Sequence, residues 1–380
     1  MKLFKSLLVA PATLGLLAPL TAHASEVNLN NISNYSEGEV EIDLKSFDNF
    51  SSPSQLLAGG EGLGDVVDDS YSDGGFSETT SASFSVDAAI GAVDGDTTSD
   101  AVGFDFQFNI GLSTSFTGED SLDVAIDSGS GTLSPVGTEM GFDSGTGLVV
   151  DGVTYSFPVG GASAIVGDAT DISAAFTGAC AYNGFTDYMG DCGTGNSVGV
   201  GGNGVTGAVS YPFESGWSVA AGVSSQNTSV LTTEGSDSIG AELAYTGDNY
   251  GVALAFVDAD GGTGDGTTYW GLNGTFSPES SFVSSISAGF ELATVDNSGD
   301  GAEGYFLGFT WDEVGPGSVS VGGATKGNFG SGVNELMIYE AAYSYPVNDA
   351  ITITPGIFME ETGPGTDDKT GVIVKSSFSF

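Results

Sequence analysis

Few residues in this chain are suited to covalent chemistry. Its 380 residues include one histidine, His23, no arginine, and six lysines set against 50 Asp and Glu. His23 falls in an amino-terminal leader, so the rest of the chain has no imidazole for a general base, a triad or a metal site. It also has no guanidinium fork to clamp a phosphate. A carboxylate pair spaced for glycoside hydrolysis cannot be singled out among so many acids. The stretch GVGGNG at residues 199–204 satisfies G-x-G-x-x-G, but without a strand before it and a helix after it, it reads as a Gly-rich loop. DADGGTGDG (258–266) and DNSGDG (296–301) resemble calcium loops, yet neither supplies a Glu at the twelfth position and the first misplaces its glycine. Such exposed acidic loops attract divalent cations weakly; neither a dedicated metal site nor a cofactor is expected, and the chain does not read as an enzyme.

The formal charge of −44 excludes nucleic acid as a partner, because that partner requires a basic face to displace its counterions. The leader, MKLFKSLLVAPATLGLLAPLTAHAS, has Lys2 and Lys5 at its start, an apolar stretch from Leu7 to Leu20, and Ala22-His23-Ala24 as a small-residue cleavage site. Pro11 and Pro19 interrupt a stretch already short for a membrane helix, so residues 1–24 read as an export signal. Export makes oxidation the expectation for the two cysteines, Cys180 and Cys192, in CAYNGFTDYMGDC. A disulfide across this small loop is worth up to about 3 kcal/mol in the chain-entropy model. A metal site at the pair would lack two further thiolates and any histidine.

The elements that must position these groups are strands. Gly is abundant at 61 residues, and from Phe76 onward the hydrophobic period is two. In AVGFDFQFNIGL, Val102, Phe104, Phe106, Phe108, Ile110 and Leu112 alternate with polar or tiny residues. The same period recurs through Ala82 to Ile90, Ile239 to Tyr245, Val252 to Phe256, Tyr305 to Trp311, Met337 to Tyr345 and Ile351 to Met359. Residues 25–75 are acidic and low in aromatics, and read as an extension or linker before a single all-β unit at 76–380.

Short turns flanked by aromatics, as in YPFESGW, YTGDNY and FSPESSF, alternate with longer Gly- and Asp-rich loops. That segregation is expected when turns face a periplasm and loops face outward from a membrane barrel. About ten residues at roughly 3.4 Å each, tilted near 45°, span about 24 Å, close to the apolar band of an outer membrane. The count is about sixteen strands, for which a transmembrane antiparallel β-barrel encloses an aqueous channel.

With the apolar parity facing lipid, the opposite parity places Asp87, Asp105, Gln107, Asn109, Glu242, Glu340 and Lys375 toward the lumen as pore-lining residues. The segment around the cysteines, from Gly167 to Gly202, is the longest loop. Folded inward it would narrow the channel, with Tyr182, Asp187, Tyr188 and Asp191 as constriction candidates. Folded outward it would be a stapled external loop.

Several stretches carry a resemblance: the leader, LLAGGEGLGD, FSETTSASFSVDAAIGAVDG, FNIGLSTSFTGEDSL, YPVNDAITITPGIF and the final KSSFSF. Through them the chain resembles outer-membrane porins of marine cyanobacteria, within the carbohydrate-selective (OprB-like) porin family. The resemblance implies a sixteen-stranded homotrimer embedded in outer-membrane lipid and passing small solutes, and a final Phe380 that serves as an assembly address. Two departures stand out. Residues 25–75 are too short for the family's surface-layer homology module and lack its Trp-Ala or Gly-Tyr pattern, which removes the basis for wall anchoring. The family's basic constriction residues also have no arginine to map onto, so the acid excess predicts a preference for cations over anions. The competing reading is an acidic, β-rich secreted or surface-layer protein acting in structure or adhesion.

Overall fold

The computed structural model describes residues 80–380 apart from 96–100, 199–203, 227–229, 231, 233–234, 261–265, 280–281 and 297–300. The export leader expected at 1–24 and the acidic stretch at 25–75 lie outside the described residues.

The alternating stretches form strands. β1 (Thr80–Asp94), β2 (Gly103–Thr114), β3 (Ser121–Gly129), β4 (Val149–Val159) and β5 (Ala162–Thr170) precede the longest connection. β6 (Gly204–Pro212), β7 (Trp217–Gln226), β8 (Asp237–Thr246), β9 (Tyr250–Ala259), β10 (Thr267–Phe276) and β11 (Ser285–Val295) follow it. β12 (Gly301–Val314), β13 (Gly317–Thr325), the two-residue β14 (Phe329–Gly330), β15 (Met337–Asn348), β16 (Ile351–Glu360) and β17 (Lys369–Ser379) complete the order. All pair antiparallel in one sheet, and the sixteen longer strands close it into a barrel. Closure is made by β1, in which Asp87 stands opposite Gln107 of β2 on one side and Ser377 of β17 on the other.

Period-two patterning becomes two faces. On β2, Phe104 and Phe106 are 61% and 39% exposed, while Asp105 and Gln107 between them are 2% and 1% exposed. Residues paired across a ladder share a face, so the register carries this inner face from strand to strand. It runs from Asp87 through Gln107 and Gly129, and later from Glu242 through Ala255, Gly271 and Glu291 to Gly304. The outer face is predominantly apolar, with Val209, Leu243, Leu254, Leu272, Leu307 and Ile357 all exposed, and charged residues such as Asp258 and Glu303 join it only toward the end with the longer connections.

The connections at the two ends differ in kind. At the end holding Phe380 they are tight, as at 160–161, 213–216, 247–249, 315–316 and 349–350. At the opposite end most are longer, including 130–148, 171–203 and 326–336. The contrast is not uniform: 277–284, at the tight end, is longer than 296–300 at the other, an exception to strict alternation. Rings pair on the outer face near the tight connections, with Tyr211 and Phe213 at 4.9 Å, Trp217 and Tyr245 at 5.1 Å and Tyr245 and Tyr250 at 5.4 Å between centroids. Phe256 and Trp270, 4.7 Å apart, sit toward the other end. Rings with one wet edge suit such boundary positions.

Candidate functional site

Two connections turn back onto the inner face. The first, residues 130–148, carries a short helix (Pro135–Glu139) whose Val136 packs with Ala89, Val93, Phe142, Phe185, Phe358 and Ile373 in one buried cluster. Asp105 on β2 receives it: Gly137 N donates at 3.0 Å and Ser134 N at 3.3 Å, with the Ser134 hydroxyl donating as well. Asp143 N donates to the Gln107 side chain at 3.4 Å.

The second connection runs along the inner wall from β5 as far as β16. Its opening DISAAF forms a 3-10 turn (Ile172–Ala175) capped by Asp171, which accepts from Ser173 N at 2.7 Å. Ile172 and Ala175 bury against Ile165, Ala208 and Ala220 on β5 to β7. Thr177 N then donates to Glu242 on β8, and Ala181 N donates to the Thr275 hydroxyl on β10 at 2.8 Å. Farther along, Ser197 N and Asn196 Nδ2 each donate to Glu291 on β11 at 2.7 Å.

Cys180 and Cys192 are joined by a disulfide, with their Cα atoms 5.8 Å apart. At its second end the chain turns through left-handed backbone at Asp191 and Cys192, each at φ 51°, a conformation that costs a non-glycine residue about 1 to 2 kcal/mol. Cys192 is fully buried there, with Tyr182, Met189, Phe306, Ala324 and Ile338.

The expected pore-lining residues all lie on the inner face, in two different settings. Asp105, Gln107, Glu242 and Glu340 are buried beneath the inward connections, so instead of meeting water they hold those connections. Asp87, Asn109 and Lys375 are half-buried: Asp87 accepts from the Ser377 hydroxyl at 2.5 Å, and Lys375 stands opposite Ala89 and Thr354. Among the constriction candidates, Asp187, Tyr188 and Asp191 are half-buried on the second connection. Tyr182 is corrected: it is turned to the wall, 5% exposed, its ring edge-on to Phe306 at 5.0 Å.

Sequence reasoning missed the first inward connection and three acids. Glu291 and Glu360 are fully buried on the inner face, and Glu139 belongs to the short helix. Lys369 bridges two of these, lying 2.9 Å from Glu139 and 3.6 Å from Glu360, and Lys326 also pairs with Glu360. The Lys326 ammonium sits 5.5 Å from the Tyr188 ring centroid, so this cluster joins both connections to β16 and β17. A lone acid in an otherwise apolar alternation, as in SAGFELATV, was the available signal for Glu291.

Electrostatics follow burial. Burial raises the Glu139 carboxyl above its ordinary value, opposed by the hydrogen bond from Lys369. Burial first, then neighbouring carboxylates, push Asp187 and Asp191 up to about 6. Burial and the nearby Glu340 charge hold the Tyr182 phenol protonated, hence a donor. Among the described residues no group of acids or cysteines is arranged to hold a metal ion.

No protein-family model matches the chain, and no curated protein matches its sequence. Solved structures do match. A mutant of Rh. blastica porin is 12% identical with a TM-score of 0.56, over 79% of this chain and 100% of that one. The high-pH structure of Pseudomonas putida OprB is also 12% identical, with a TM-score of 0.61, over 80% of this chain and 94% of that one. At such identity the likeness is one of fold: this chain has the closed, sixteen-stranded antiparallel barrel found in porins.

Proposed function

We propose that this protein is an outer-membrane porin, a passive diffusion channel for small hydrophilic solutes and ions that prefers cations. One observation carries the reading. A predominantly apolar face surrounds a closed barrel whose inner face is polar and partly covered by a disulfide-closed connection. A water-exposed coat protein would leave that outer face unburied, whereas lipid satisfies it. In this reading residues 1–24 direct export, the tight connections face the periplasm and the longer ones face outward.

The charge balance of the lumen supports cation preference. Lys326 and Lys369 are engaged by Glu360 and Glu139, which leaves Lys375 as the remaining cation among the described residues, on a wall that also carries Asp87, Asp123 and Asp127. Passage involves no bond making. The field of the acids concentrates cations at the mouth and repels anions. The absence of arginine gives no support to sugar selectivity. The porin-like fold and the resemblance of the end segments favour a homotrimer.

Reconstitution in planar bilayers under a salt gradient tests the reading: a cation-directed reversal potential is expected, and an anion-directed one overturns the preference. Migration of an unheated sample in a denaturing gel, shifted until boiled, is expected of an assembled barrel and not of a loose surface protein.

A further inference from the structure

Glu340 lies in β15, opposite Gly322 of β13 and Phe358 of β16, and is 4% exposed. Four donors converge on it. Tyr182 Oη at 3.0 Å and Phe185 N at 2.7 Å donate to Oε1; Thr186 N at 2.8 Å and Thr186 Oγ1 at 2.7 Å donate to Oε2. All come from the ring closed by Cys180 and Cys192. Among the described residues no lysine stands within ion-pair distance of this carboxylate, so the ring's hydrogen bonds are what offset its burial.

The wall around Glu340 is shaped for the same ring. A Cβ on Gly308 would lie 2.5 Å from the Tyr182 ring, one on Gly322 2.7 Å from its hydroxyl, and one on Gly356 2.5 Å from the Phe185 ring. The two aromatics therefore rest on bare backbone of β12, β13 and β16, with the carboxylate between them. An ionised carboxylate is acceptor-only and offers about four lone-pair sites, whereas an amide of the same shape sets its own NH2 against two of the donors.

We propose that Glu340 is the positioning residue of the disulfide-closed ring, holding it flat against the wall and thereby setting the largest solute the channel admits. This rests on the porin reading above. The donors and their acceptor stand more than 150 residues apart in the chain, so the connection's path is fixed by this contact and not by local sequence.

The test measures single-channel conductance and the exclusion limit for neutral polyethylene glycols of graded size, for the wild type and for Glu340→Gln, Glu340→Asp, Thr186→Val and Gly322→Ala. Barrel assembly is checked in each by the heat-dependent gel shift. Glu340→Gln is expected to admit larger polymers with a higher, noisier current. Glu340→Asp, which keeps four acceptor sites on a shorter stem, falls between it and the wild type. Thr186→Val moves the limit the same way by less, and it carries the test if Glu340→Gln does not assemble. Gly322→Ala lifts Tyr182 off the wall and lowers the limit. An assembled Glu340→Gln or Thr186→Val barrel with the wild-type limit and conductance overturns the assignment while leaving the porin reading intact. A wild-type barrel that carries no current overturns both.

Discussion

The two inward connections use the same wall chemistry but are secured differently. In each, a carboxylate on the inner face accepts backbone N–H groups: Asp105 for residues 130–148, and Glu242, Glu291 and Glu340 for residues 171–198. The first stays near the seam formed by β16, β17, β1 and β2, and its helix is held by one ion pair, Lys369 to Glu139. The second crosses most of the inner wall, is anchored by three wall carboxylates along its course, and is closed by the disulfide. Ordering a longer connection costs more conformational entropy, and a covalent link offsets that cost without desolvating another charge. The difference teaches that anchor number and type scale with the length of chain to be held.

Three perturbations sharpen the comparison. The largest effect is expected for Cys180→Ser with Cys192→Ser. It removes about 3 kcal/mol of constraint in the chain-entropy model and loosens the second connection most. Hydrogen exchange should accelerate more at Met189 and Thr194 than at Met140 and Phe142 in the first, which shares the Phe142 and Phe185 cluster with it; equal acceleration in both would mean that the two connections form one unit. Next is Lys369→Gln, which leaves the buried Glu139 without its cation. The expected cost is about 2 kcal/mol, below the 3 to 5 of a fully buried pair because Lys369 remains partly solvated. Here exchange should accelerate at Met140 and Phe142 first.

The smallest effect is that of pH. Asp187 and Asp191, pushed up to about 6, hold their protons more tightly in the fold than unfolded. The second connection therefore gains stability as pH falls through 6 toward the ordinary carboxylate range, while the lumen loses two charges. Reversal potentials measured from pH 7 to 5 should show cation preference declining; a flat profile would mean that neither acid faces the conducting path. Asp120, in the 115–120 turn, has the opposite sign. It is held well below the carboxylate range, chiefly by the Tyr155 hydroxyl hydrogen bond at 2.7 Å, so its contribution is intact at pH 5 and is lost only in stronger acid.

The barrel was legible because a strand inserted between lipid and water must alternate, and alternation survives in single strands such as FDFQFNI. Parity therefore put Asp87, Asp105, Gln107, Asn109, Glu242, Glu340 and Lys375 on the inner face without any knowledge of their neighbours. What parity cannot show is whether an inner residue meets water or protein. Glu340 and Asp87 look alike in sequence, yet one is covered because donors from a ring far along the chain come to rest on it. The short helix at Pro135–Glu139 left no trace either, since five residues cannot display a helical period. Tyr182 read as a constriction residue from its place in the loop, and only the glycines of two separate strands, Gly308 and Gly322, let it turn to the wall.

The pairing of β1 with β17 also bears on how the barrel is made. Every other long ladder joins strands that follow one another in the chain, with β14 alone intervening, whereas Asp87 and Ser377 at this seam are 290 residues apart. At its end Phe84 and Phe380 exchange backbone hydrogen bonds of 2.9 and 3.0 Å and stack at 5.9 Å. Hairpins can accumulate quickly because their partners are near, so the one distant pairing is the natural slow step. Until it forms, the growing sheet has two open edges, each a template for pairing with another chain. The ring stack at Phe380 thus marks the moment at which an aggregation-prone ribbon becomes a sheet without edges, and a variant weakened there should fail during assembly more than in the finished channel.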